Sequence, residues 1–208
     1  MTTRRLMYGL ACVIAFLPVA SYAQLDLSSV TLRAGAIPSQ TPNYFEPGYI
    51  WSFYPEVEVG GHLFAPYLNW GVTWGYWSDG IDQPKPWADF ITYARTGHIL
   101  SARMRFSPQA LDAHIPLPIT FSVGIAEHLI KTIYVGGTDF VGKRGANSID
   151  QAVSGLLGIG FSIPVSTHLI LEAQAVQYIP LGGQPIDRVQ SNRRSWTLGV
   201  GYTFQGSI

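Results

Sequence analysis

The segment Ser195-Trp-Thr-Leu-Gly-Val-Gly-Tyr-Thr-Phe204 decides how the rest of the chain is read. Trp196, Leu198, Val200, Tyr202 and Phe204 fall on one parity; Ser195, Thr197, Gly199, Gly201 and Thr203 fall on the other. Alternation with period 2 marks a β-strand with two unlike faces. One face is wholly apolar and carries aromatic rings at both ends. The other is small and polar. Strands of soluble sandwiches alternate too, but rings at both ends of the apolar face suit a strand in contact with lipid. There the middle touches hydrocarbon and the rings settle at the two membrane–water interfaces.

Seven upstream segments repeat the pattern with other residues: 29–37, 55–64, 67–77, 98–106 (with a start as early as Phe90 as the alternative), 119–130, 151–163 and 167–178. In the third, Leu68, Trp70, Val72, Trp74 and Tyr76 oppose Asn69, Gly71, Thr73 and Gly75. In the sixth, Leu156 is an apolar exception on an otherwise small face. The intervals alternate between long and short, with Ala65-Pro66 and Pro164-Val165-Ser166 as tight turns. The expected fold is therefore all-β: an eight-stranded antiparallel up-and-down transmembrane β-barrel over residues 24–208. Its long loops would lie outside the cell and its short turns in the periplasm. A soluble periplasmic barrel is the alternative.

Composition agrees. The 208 residues suffice for one domain; charged residues make up 12%, aromatics 13%, and there are 22 glycines. No run of about 20 apolar residues, as a membrane helix needs, follows residue 23. The net charge of zero implies no general attraction to nucleic acid. Residues 1–23 read as a secretory signal peptide: Arg4 and Arg5 are its charged start, Leu6 to Val19 its apolar stretch, and Ser21-Tyr22-Ala23 its cleavage site. Removal of this segment takes away Cys12, the single cysteine, so disulfide and thiolate chemistry are excluded from the mature chain.

The face opposite the apolar one holds the charges. Arg33, Glu56, Glu58, Arg103, Arg105 and Glu172 all fall on the inward parity, three positive and three negative. An eight-stranded barrel is narrow enough for side chains to fill it, and buried charges need partners. The set is expected to form a salt-bridged network that closes the lumen; an ion path or gate is the functional alternative. An aromatic girdle is expected from Trp70, Trp74, Tyr76, Trp196, Tyr202 and Phe204.

Catalytic chemistry finds little support. His168 and Glu172, four apart, would share the inward face near Ser162, a set that could hydrolyse an ester. But that histidine lies at the periplasmic end of its strand, whereas an outer-leaflet lipid would be at the other end, and there is no His-x-Ser motif. His62, His98 and His128 show no metal-ligand spacing, so neither a metal nor a cofactor is expected. No phosphate loop, dinucleotide fingerprint or nucleic-acid motif appears. The long loops are better candidates. The first is expected to carry Tyr44, Phe45, Tyr49, Trp51, Phe53 and Tyr54. The basic residues Lys131, Lys143, Arg144, Arg188, Arg193 and Arg194 gather toward the outer rim, where lipopolysaccharide phosphates would lie.

With its leader, strand count, loop alternation and closing strand, the chain resembles the small outer-membrane β-barrel family, the OmpA/OmpX-like eight-stranded barrels. The resemblance covers Ser29 to Phe204. It implies a bacterial outer-membrane location and a monomer surrounded by outer-membrane lipid and lipopolysaccharide. It also implies that Leu198, Val200, Tyr202 and Phe204 are read by the barrel-assembly machinery. Family members commonly end at the final aromatic residue, whereas here Gln205-Gly-Ser-Ile208 follows. The function expected is a structural or interaction scaffold displaying extracellular loops, not an enzyme. A small pore or carrier for apolar solutes is the first alternative, and a lipid-modifying enzyme the second.

Overall fold

A computed structural model describes residues 27–40, 49–65, 67–81, 92–108, 118–137, 146–182 and 194–204. The signal segment, the four long connections and Gln205 to Ile208 lie outside the described residues. Eight strands close into one antiparallel barrel in sequence order. They are β1 (Ser29–Gln40), β2 (Tyr49–Ala65), β3 (Leu68–Ile81), β4 (Thr92–Phe106), β5 (Ile119–Gly136), β6 (Ser148–Pro164), β7 (Leu169–Gly182) and β8 (Arg194–Thr203). We call the end that holds Ser29 and Thr203 the lower end, and the opposite one the upper end.

The register fixes the barrel's shape. Starting at Ser162 on β6, paired residues run through Glu172, Gly199, Arg33, Glu56, Gly75, Ile99 and His128 and return to β6 at Ala152. One circuit thus climbs ten residues along the same strand. With strands about 4.8 Å apart and about 3.3 Å per residue, this stagger tilts them about 40° and gives a backbone radius of about 8 Å. Each residue along a strand then rises about 2.5 Å along the axis. Opposite walls are then about 16 Å apart, so long side chains from the two walls meet near the axis.

Side chains divide as the alternation requires. Leu32, Val72, Leu100, Phe121, Val123, Leu157, Ile159, Leu171, Leu198 and Val200 are exposed on the outside. A water-soluble barrel would not leave such a belt uncovered. The backbone needs no partner beyond the sheet, because closure removes every edge along the spanning part.

The strands depart from the expected boundaries mainly at the upper end. Residues 49–54 belong to β2 instead of the first loop, 78–81 to β3, 92–97 to β4, 131–136 to β5 and 179–182 to β7. Two consequences are corrections. Tyr54 is no loop aromatic but points into the lumen, fully buried, while Trp51 and Phe53 point outward. At the lower end, β7 begins at Leu169, so His168 is a turn residue. Its ring stacks on outward-facing Tyr202 at 5.7 Å, with Nδ1 3.0 Å from the Thr203 carbonyl, and so does not share the lumen with Glu172. Phe204 falls one residue beyond β8, and its N–H donates to the Ser28 carbonyl at 2.8 Å.

Candidate functional site

The six inward charges meet. Arg33, on β1, reaches all three glutamates: Glu56 at 2.7 Å, Glu58 at 3.3 Å, and Glu172 through two nitrogens, with Nε at 3.0 Å. Arg103, on β4, donates Nε–H to Glu58 at 2.6 Å, pairs with it again through its terminal nitrogen, and lies 3.4 Å from Glu56. Arg105 pairs with Glu58 and, at 3.0 Å, with Glu172. Since β4 and β7 stand three strands apart in the ring, the Arg105–Glu172 bond crosses the lumen. Hydroxyls complete the shell: Thr73 donates to Glu58 at 3.0 Å and Tyr54 to Glu56 at 3.2 Å. Followed along the register, this charged layer is about 10 Å deep.

Gly199 makes room for it. It is the register partner of both Arg33 and Glu172, so the Arg33–Glu172 pair bridges directly over it. A Cβ there would fall inside contact distance of the Arg33 side chain and the Leu32 carbonyl. Gly199→Val is therefore expected to destabilise the folded barrel by about 1–3 kcal/mol, the range for overpacking. A urea midpoint in detergent equal to that of the unsubstituted protein would contradict the bridge.

Above the charges lies a second layer that alternation alone does not reveal. Ile37, Tyr54, Trp77, Ile99, Ala126, Leu156, Val176 and Tyr178 all face inward and are buried. The two largest rings lie over glycines of the next strand, Tyr54 over Gly75 and Trp77 over Gly97, which supply the space they occupy. Higher still, Asp79 and Arg95, opposite each other on β3 and β4, form a buried two-bond pair at 2.9 and 2.8 Å. His128 and Ser154, 2.6 Å apart, lie lower, among the rings and aliphatic side chains, with His128 edge-on to Tyr178 at 5.0 Å. The parity of 79 and 95 continues that of Trp77 and Ile99, a signal that a loop reading of 78–97 hides.

The aromatic candidates sit at two heights on the outside. Trp74, Tyr76 and Trp196 stand toward the upper end; Trp70, Tyr202 and Phe204 stand toward the lower end. His98 stacks on Trp74 at 5.8 Å and packs at 5.3 Å on Tyr76. Outward polar residues appear at that upper height: Glu127 bonds to Gln151, and Arg194 to Gln177. From Tyr202 and Phe204 up to Tyr76 the apolar belt is about 20–25 Å tall, the height of an outer-membrane hydrocarbon core, and Trp70 stands inside it. Among the described residues, no group of three or more His, Cys, Asp or Glu is placed to hold a metal. Of the basic rim, Lys131 and Arg194 are described and both are exposed; Lys143, Arg144, Arg188 and Arg193 lie outside the described residues, as do Tyr44 and Phe45.

No family model and no curated protein matches the chain. Solved structures do. It is similar to the attachment invasion locus protein Ail of Yersinia pestis, at 11% identity and TM-score 0.51 over 86% of this chain and 100% of that one. It is equally similar to the Neisserial surface protein A, at 15% identity and TM-score 0.50 over 84% and 97%. The N-terminal β-barrel domain of Pseudomonas aeruginosa OprF gives 15% identity and TM-score 0.50 over 85% and 97%. The chain has the fold of the small outer-membrane β-barrels. In this barrel the charged cluster and the apolar layer stack one above the other inside the lumen.

Proposed function

We propose that this barrel is a sealed scaffold that anchors its four upper connections (41–48, 82–91, 137–147 and 183–193) at the outer surface. The reading rests on one observation: two unlike layers fill the same lumen, ion pairs below and packed rings and aliphatic side chains above. A permeating ion would have to part the six-membered cluster and also cross an apolar layer about 8 Å thick. Either barrier alone leaves an energy cost of several kcal/mol. The aromatic rows would hold the barrel at its depth, and the alternate residues Leu198, Val200, Tyr202 and Phe204 would serve as its assembly signal. Proteoliposomes loaded with a small dye test the reading. Efflux equal to that of protein-free vesicles is expected; faster efflux would overturn it.

The pore alternative draws on a different observation. The Arg105 and Glu172 side chains keep 13% and 11% of their exposure, so water reaches the cluster from the lower end. A gated path would begin there, with the upper layer as its gate. The enzyme alternative is disfavoured by the outward stacking of His168. Lipid A from cells with and without the protein is expected to give identical mass spectra; a new or missing acyl chain would restore that alternative.

A further inference from the structure

The outer face of the barrel is not uniform. Along β7, Ala173 and Ala175 face outward; along β1, so do Ala34 and Ala36. Between them β8 raises Leu198 and Trp196. Leu198 pairs with Ala173 on one side and Ala34 on the other, and Trp196 with Ala175 and Ala36. With no bulk beside it, Leu198 is 69% exposed and stands as a ridge between two alanine-floored slots. The β7 slot is a groove of about 390 Å³ between Leu157 and Ile159 on β6 and Trp196 on β8. At its upper end Arg194 heads the ridge, exposed, and donates Nε–H to Gln177 at 2.6 Å. Among the described residues no carboxylate pairs with Arg194.

We propose that this face is a docking site for one phosphorylated, multiply acylated lipid, the lipid A part of lipopolysaccharide. Its acyl chains lie in the two slots astride Leu198 and Trp196, and a phosphate meets Arg194. Two slots flanking one ridge fit a lipid with several chains better than a single chain. An arginine at the height where hydrocarbon ends fits an anionic headgroup, to which it donates two parallel N–H bonds. The outer leaflet is the one that faces the upper end under the reading proposed above, on which this site rests; whether the lumen conducts does not bear on it.

Native mass spectrometry of the detergent-folded protein, with purified bisphosphorylated lipid A as the probe, tests the site. One lipid A per barrel is expected to survive activation. Arg194→Gln is expected to lower the retained fraction at least roughly tenfold, the loss of one charge-assisted pair. Ala175→Leu, which fills the slot without touching charge, lowers it as well. Ala102→Leu, an outward alanine on β4, leaves retention unchanged. Heat-modifiable gel migration shows that each variant is folded. Equal retention by all variants, or equal retention of dephosphorylated lipid A, would overturn the proposal. Neither result would touch the dye-efflux outcome.

Discussion

Arg33→Ala is expected to destabilise the folded barrel by about 3–5 kcal/mol, the range for a broken buried ion pair. Among the described residues, Arg33 is the one that touches Glu56, Glu58 and Glu172 together. The loss falls unevenly. Glu58 keeps Arg103, Arg105 and Thr73, and Glu172 keeps Arg105. Glu56 keeps only Arg103 at 3.4 Å and the Tyr54 hydroxyl at 3.2 Å, so it becomes the stranded carboxylate. The double variant Arg33→Ala, Glu56→Gln restores the charge balance and is expected to be more stable than Arg33→Ala alone, with a coupling of about 1–3 kcal/mol. Urea unfolding in detergent measures both. A double variant no more stable than the single one would mean that Glu56 is relieved in another way.

Trp77→Ala is expected to cost about 3–5 kcal/mol, as large-to-small changes in a packed core do. Trp77 is fully buried, and its ring occupies the space left by Gly97 on the paired strand. The two substitutions act on different layers and touch different partners. Their effects should add within about 0.5 kcal/mol. Strong coupling would mean that the layers form one unit.

Most of the architecture is legible in the sequence because each spanning segment has one apolar and one polar face. In β8 the contrast is complete, from Trp196 to Tyr202, and Phe204 just beyond the strand keeps the parity. In β1, β2, β4 and β7 the same parity places Arg33, Glu56, Glu58, Arg103, Arg105 and Glu172 in the lumen, and the narrow barrel leaves them nowhere to go but to each other. Legibility fails where both faces are apolar. In residues 49–54, Trp51 and Phe53 face outward while Tyr54 faces inward. The aromatic content therefore reads as a loop or girdle cluster, and the strand goes unseen. Trp77, Ile99 and Ile130 are hidden for the same reason: an inward apolar residue looks in sequence like an outward one. Asp79 and Arg95 are hidden by their Gly- and Pro-rich surroundings, although their parity is that of the lumen. His168 shows the opposite error. Spacing of four places it with Glu172 only if the strand reaches it, and β7 begins one residue later.

The central claim is that charged and apolar layers together close the lumen. Single-channel recording in planar bilayers tests it most directly, with the unsubstituted protein beside the Arg33→Ala, Trp77→Ala double variant. The unsubstituted barrel is expected to show no stable openings, and the double variant, where it folds, brief ones. Stable openings of the unsubstituted barrel would contradict the claim.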